Sequence, residues 1–111
     1  MKFLTCVMPI TWLHTEHGWG NGYVAIPKEH KLFGKSYDFA DEAGISAHGG
    51  LTFAENLSNV KDLFSTTKKD RADWWVFGFD TAHYADTKAN WTEDKVKEET
   101  ESLKKQLENL K

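Results

Sequence analysis

An apolar run that ends in regularly spaced polar residues constrains this chain more than any other feature. Residues 74–80 (WWVFGFD) are rich in aromatic and β-branched side chains, a composition typical of a buried strand. Asp80, His83 and Asp86 then follow at intervals of three. A strand that ends in this way leaves these polar side chains at the rim of a hydrophobic element, where an ion can reach them. The spacing therefore predicts a metal site at this strand end.

A second polar focus lies upstream at residues 48–50 (HGG). Asp80 and His83 share a face if the chain turns between them, and His48 can reach them from a neighbouring strand. One carboxylate and two imidazoles bind Zn²⁺ tetrahedrally and leave a fourth position for water or a further ligand. We therefore predict His48, Asp80 and His83 as zinc ligands. Asp86 is either a fourth ligand or a group that holds His83, and His30 is a reserve ligand.

Each of these residues also has a structural interpretation, and the sequence leaves it open. His48 can be a partly buried, hydrogen-bonded residue, and the glycines after it tolerate positive φ angles. Asp80 can cap backbone amides at the strand end and orient the imidazole of His83. Asp86 can be a solvated residue before the last helix. The ligand and structural interpretations predict different contacts for the same side chains.

Composition limits both the size of the fold and its partners. The 111 residues, of which 40% are apolar and 14% aromatic, are expected to form one domain spanning residues 1–111. The net charge of −3 gives no attraction to phosphate, so we expect a basic protein partner and no direct contact with nucleic acid. The single cysteine, Cys6, favours a reducing cytoplasm. No apolar run approaches the roughly 20 residues that span a bilayer, so we expect no membrane association.

The hydrophobic pattern predicts an α+β fold, a small antiparallel sheet with a C-terminal amphipathic helix. Thr92 is the expected cap of that helix, whose apolar stripe would dock on the sheet or mediate dimerisation. The stripe consists of Val96, Thr100, Leu103, Leu107 and Leu110. Further predictions are strands within residues 2–14, 23–26 and 45–53, a turn at 18–22, an irregular connection at 28–44 and a helix at 56–64.

Four motifs resemble a family of small proteins of bacteriophages and prophages: residues 23–27 (YVAIP), 48–53 (HGGLTF), 74–75 (WW) and 78–83 (GFDTAH). The similarity covers about residues 20–86, and the chain as a whole is similar to zinc-containing phage anti-CRISPR proteins. The resemblance implies that His48, Asp80 and His83 bind the metal. This chain has Ala85 where the family pattern has glycine and Lys31 where it has proline, so Asp86 and His30 match less well.

Three functions follow as hypotheses. The resemblance implies a phage-encoded anti-CRISPR protein that contains zinc, acts in the host bacterial cytoplasm and inhibits type II-A Cas9 by direct binding through a surface that includes the acidic last helix. The alternative is a metal-dependent hydrolase, for which a three-ligand zinc site with an open position is typical. A third hypothesis is a structural or assembly protein of the phage particle, with the helical stripe as its oligomer contact.

Overall fold

Four antiparallel strands form the centre of the fold in a computed structural model that describes residues 2–66 and 70–110. Their order across the sheet is β1-β2-β4-β3. The strands are β1 (Leu4–Pro9), β2 (Gly20–Pro27), β3 (Phe53–Asn56) and β4 (Trp74–Phe79). A short helix, α1 (Tyr37–Glu42), and a long C-terminal helix, α2 (Glu93–Asn109), accompany the sheet. The predicted α+β class is confirmed.

Helix α2 covers one face of the sheet with the predicted apolar stripe. Thr92 caps the helix, because its hydroxyl accepts the backbone N–H of Lys95 at 3.3 Å. The stripe packs against Val24 and Phe77 of the central strands, with Leu110 partly buried beside it. Its buried members are Val96, Thr100, Leu103 and Leu107. The stripe therefore packs against the sheet of its own chain. It is not free to form the oligomer contact that the hypothesis of a particle assembly protein requires.

Glycines in β2 let the helix approach the sheet closely. A Cβ atom at Gly22 would lie 2.1 Å from Thr100 Oγ1 and 2.5 Å from the Phe79 ring, so any larger residue would push α2 outward. The prediction of a turn over residues 18–22 is wrong, because β2 already begins at Gly20. The glycines serve close packing there.

The second face of the sheet is covered by the segment after β3. Leu57 and Leu63 are buried against Ala25 and Val76. The adjacent tryptophans of β4 point to opposite faces, as the strand geometry predicts: Trp74 packs against this second cluster and Trp75 against the helix side. The strand predicted over residues 74–80 is confirmed.

Several sequence predictions outside the central strands are wrong. Only Phe53 of the strand predicted at 45–53 is in a strand, because Gly49 and Gly50 adopt φ angles of +71° and +88°. The helix predicted at 56–64 is reduced to one 3₁₀ turn at Leu57–Asn59. The connection predicted as irregular at 28–44 contains α1. By contrast, the strand predicted within residues 2–14 is confirmed as Leu4–Pro9, and the strand predicted at 23–26 lies within β2.

Neither α1 nor α2 combines the length and the apolar character needed to cross a lipid bilayer, a finding that concerns the described ranges 2–66 and 70–110. Helix α2, the longer of the two, carries charged side chains along most of its surface. Helix α1 has six residues.

Candidate metal centre

Two loops that lie far apart in the sequence meet at one end of the sheet. The first precedes β3 and turns at Gly50, whose N–H donates to the carbonyl of Ala47 at 2.8 Å. The second follows β4 and leads into α2. Backbone pairing continues up to this point, because Thr52 N donates to Gly78 O at 3.0 Å. The pairing of β3 with β4 thus places the loop that carries His48 beside the loop that carries His83.

Asp86 is the centre of the second loop. Its backbone N–H donates to the carbonyl of His83 at 2.9 Å, and its Oδ2 accepts the backbone N–H of His83 at 2.9 Å. These reciprocal bonds close a tight turn that directs the carboxylate inward. Asp86 is only 5% exposed, so the interpretation of Asp86 as a solvated residue is wrong.

Both imidazoles converge on this buried carboxylate. His48 Nε2 lies 2.8 Å from Asp86 Oδ1 and 3.0 Å from Oδ2, across 38 residues of sequence. His83 Nδ1 lies 3.0 Å from Oδ2. One donor atom from each of the three side chains lies within 4.8 Å of the others, and together they could hold a metal ion. The prediction of a metal-binding cluster is therefore supported in its general form.

The neighbouring residues fix the two rings. The His48 ring packs against the indole of Trp91 at a tilt of 36° with centroids 4.1 Å apart, and it meets the His83 ring edge-on at 5.2 Å. Gly49 lies directly against His83, since a Cβ atom there would be 2.3 Å from Cε1 of that ring. Neither Trp91 nor the Gly49 contact was predicted from the sequence, because both depend on how the loops fold together.

The cluster keeps its carboxylate ionised. Burial raises the pKa of Asp86, but the hydrogen bonds from the His83 backbone and from the two imidazoles lower it by more, so the pKa lies below its ordinary value. An ionised carboxylate beside two imidazoles is a donor set that binds divalent metals such as zinc. Zinc ligands lie about 3.3 Å apart when bonds of about 2.0–2.1 Å point to tetrahedral corners. The ligand atoms lie within 4.8 Å of one another, so they would have to approach by up to about 1.5 Å to reach such separations.

Asp80 lies against the other nitrogen of His83. Its Oδ1 is 3.5 Å from His83 Nε2 and accepts the backbone N–H of Ala82 at 3.0 Å. Its Oδ2 accepts the hydroxyl of Thr52 at 3.0 Å. The structure thus brings together His48, His83 and Asp86, whereas Asp80 caps the strand end beside them. The assignment of Asp80 as a ligand stays a prediction.

His30 lies in a different part of the fold. Its Nε2 is 2.8 Å from the carbonyl of Leu107, its Nδ1 accepts the backbone N–H of Leu32 at 3.0 Å, and its ring meets Phe3 edge-on at 5.5 Å. Nε2 therefore joins the loop after β2 to α2, and Nδ1 closes a turn within that loop. This environment gives His30 a structural role and does not place it with the metal-binding cluster.

A groove of about 530 Å³ runs beside the cluster on the second face of the sheet. Its lining includes Asp80 and His83 as well as Trp12 and Leu13. Its size falls in the range of about 300–1,000 Å³ that small-molecule sites occupy. An extended segment or a small molecule could therefore lie next to His83.

No family model, curated protein or solved structure matches this chain. Function is therefore inferred from the four sequence motifs and from the geometry of the His48, His83 and Asp86 cluster. The three side chains of the cluster could hold a metal ion.

Proposed function

We propose that this chain is a zinc-binding phage protein that inhibits type II-A Cas9 in the host cytoplasm by direct protein contact and so prevents cleavage of target DNA. The metal-binding part of the proposal is carried by the convergence of His48, His83 and Asp86 within 4.8 Å of one another. The Cas9 part is supported by the sequence resemblance.

Zinc suits this donor set better than the common hard cations. Calcium and magnesium prefer sites built from oxygen atoms, whereas two of the three donors are imidazole nitrogens. Imidazole also binds copper, nickel and iron, so the donor set alone defines a class of metals. The resemblance to zinc-containing proteins supports the choice of zinc within that class.

The ion would have a structural role in this proposal. It would join the loop of residues 47–50 to the loop of residues 80–91, which the hydrogen bonds to Asp86 already hold together. Tyr84 projects from the second loop and is fully exposed. A rigid, exposed tyrosine is a common anchor at protein interfaces, so the ion would fix a recognition loop.

Two surfaces are candidates for the contact with Cas9. The first is the metal-end surface, defined by Trp12, Leu13 and Tyr84, whose large side chains are exposed. The second is the exposed face of α2, where residues 93–109 include six acidic and four basic side chains, a net charge of −2. Complementary charge speeds association with a basic protein, whereas exposed aromatic side chains supply affinity.

The proposal is tested by mixing the zinc-loaded protein with a type II-A Cas9 and its guide RNA. We expect a complex on size-exclusion chromatography and loss of target DNA cleavage. His48→Ala should weaken both effects together with zinc binding. Full cleavage and no complex, with the protein in excess and zinc bound, would exclude Cas9 inhibition.

Surface variants separate the two candidate contacts. Trp12→Ala with Tyr84→Ala tests the metal-end surface, and Tyr37→Ala, an exposed aromatic residue on α1, is the matched control. Glu98→Lys with Glu101→Lys tests α2. If α2 makes the contact, the charge reversals should reduce the association rate most at low salt, because salt screens surface charges.

The second candidate function is a metal-dependent hydrolase, and the groove beside the cluster favours it. His83 lines that groove, so a molecule bound there would lie next to a histidine of the metal cluster. A bound ion can activate water for attack on such a molecule. Turnover of ester, phosphoester or nucleotide substrates that depends on metal and disappears in His48→Ala would support this function. A screen without metal-dependent turnover would remove its support.

A further inference from the structure

The imidazole of His83 lies between two carboxylates. Its Nδ1 is 3.0 Å from Asp86 Oδ2, and its Nε2 is 3.5 Å from Asp80 Oδ1. The carboxylate of Asp86 is buried, whereas that of Asp80 is partly exposed to solvent. Asp80 thus lies against the ring nitrogen opposite the one that lies near Asp86.

The hydrogen positions around Asp86 change if an ion enters the cluster. Without metal, a hydrogen on His83 Nδ1 can be donated to Asp86 Oδ2, which lies 3.0 Å away. A nitrogen that binds an ion cannot carry one. Binding through Nδ1 therefore requires the ring hydrogen of His83 to reside on Nε2, and the carboxylate beside Nε2 is that of Asp80.

We propose that Asp80 is a positioning residue, which accepts the Nε2–H of His83 while His83 holds the ion through Nδ1. This inference rests on the proposed metal site, and it gives Asp80 the orienting role that the sequence left open beside the predicted role of direct ligand. A carboxylate behind a metal-bound histidine fixes the tautomer and the ring orientation and raises the basicity of the ligand.

Asp80 is itself held in place for this role. The hydroxyl of Thr52 and the backbone N–H of Ala82 each donate to its carboxylate at 3.0 Å. On the other side, Gly49 lies against the His83 ring and restricts its movement. The Nε2 to Oδ1 distance of 3.5 Å becomes a normal hydrogen bond after a small rotation of the ring. The Asp80 carboxylate is thus a hydrogen-bond acceptor held in place by Thr52, the residue that precedes β3.

The test is a graded series of variants in the full chain, titrated with Co²⁺ as a spectroscopic substitute for Zn²⁺ and then with Zn²⁺ in competition. Asp80→Ala removes the acceptor, Asp80→Asn keeps a neutral acceptor, and Thr52→Val removes the hydroxyl that holds Asp80. Asp62→Asn replaces an exposed carboxylate elsewhere and is the control. A backbone amide spectrum of each variant checks the fold.

We expect Asp80→Ala to weaken metal binding by about 10–100-fold, the usual effect of losing such a partner. Asp80→Asn and Thr52→Val should have smaller effects, and the control should have none. The Co²⁺ absorption spectrum should stay unchanged throughout, because no ligand is lost. Long-range nitrogen–proton spectra of the zinc form should show His83 bound through Nδ1 with hydrogen on Nε2.

Three results would overturn the assignment. Unchanged affinity in both Asp80→Ala and Thr52→Val would mean that the carboxylate does not act through His83. A Co²⁺ spectrum of altered coordination in Asp80→Ala would make Asp80 a direct ligand, and a zinc form with Nε2 bound would place the ion on the other side of the ring. Absence of any metal binding by the unmodified protein would instead refute the proposed metal site, and this inference with it.

Discussion

Two adjacent glycines provide a matched pair of substitutions that tests whether the cluster is built as described. Gly49 and Gly50 both have positive φ, at +71° and +88°. A Cβ atom at Gly49 would lie 2.3 Å from Cε1 and 2.5 Å from Nε2 of His83, whereas a Cβ atom at Gly50 would meet nothing within 4 Å. Alanine at either position therefore strains the backbone, but only alanine at position 49 displaces the histidine.

The expected magnitudes follow from these two effects. Alanine in the left-handed region lowers the free energy of unfolding by about 1–2 kcal/mol. An unfolded chain with alanine has less conformational freedom than one with glycine, and this offsets about 0.5–1 kcal/mol of that cost. Gly50→Ala should therefore lower the free energy of unfolding by at most about 1.5 kcal/mol. Gly49→Ala adds a steric cost of about 1–3 kcal/mol. The distance of 2.3 Å between the new Cβ atom and Cε1 of His83 must lengthen by more than about 1 Å, since non-bonded carbon atoms prefer separations of about 3.5–4.0 Å.

The assay measures two quantities for each variant: urea unfolding of the metal-free protein and Zn²⁺ affinity by competition with a chelating dye. We expect Gly49→Ala to be the less stable variant by about 1–3 kcal/mol and to lose at least about tenfold in affinity, because a ligand is displaced. Gly50→Ala should keep its affinity. Equal loss of affinity in both variants, or normal affinity in Gly49→Ala, would refute the described contact between Gly49 and His83.

Three further predictions concern the rest of the molecule. Ala85 has a φ of +72° and is exposed, so Ala85→Gly should raise the free energy of unfolding in urea by about 0.5–1 kcal/mol. A variant less stable than the unmodified protein would contradict backbone strain at Ala85. Burial raises the pKa of Tyr23, so its stability contribution is complete below the ordinary value of about 10 and is lost as the pH rises through the folded pKa. An absorbance titration should show a late tyrosinate step that Tyr23→Phe removes and that Tyr84→Phe keeps. Chelation should lower the melting temperature, by the equivalent of about 2.7 kcal/mol if the free metal concentration was 100 times Kd. The circular dichroism spectrum should stay unchanged, because the hydrogen bonds of Asp86 and both apolar clusters remain. Unfolding on chelation would show that the fold requires the ion.

The sequence correctly predicted those elements whose own residues show a clear hydrophobic pattern. Strand β4 and helix α2 belong to this class, since residues 74–80 form a continuous apolar run and Val96, Thr100, Leu103 and Leu107 recur at helical spacing. The predicted helix at 56–64 failed although Leu57, Val60 and Phe64 have helical spacing, because the backbone is already extended at Val60, with φ −122° and ψ 127°. Phe64, with φ +59°, is not helical either. Helix α1 was not predicted, because Ala40 is its single buried residue and it shows no apolar stripe.

The ligand set was harder to predict because His83 has an aspartate three residues away on each side. Spacing alone treats Asp80 and Asp86 as equivalent, and the prediction chose the one that ends the strand. The fold distinguishes them by backbone geometry. Asp80 caps the exit of β4 by accepting the N–H of Ala82, so its carboxylate stays at the strand end. Asp86 closes the following turn onto the backbone of His83, and this turn carries its carboxylate into the space that His48 reaches from the opposite loop. A turn of this kind depends on Ala85 adopting a positive φ, which a non-glycine residue rarely does, and the sequence therefore gave no local sign of it.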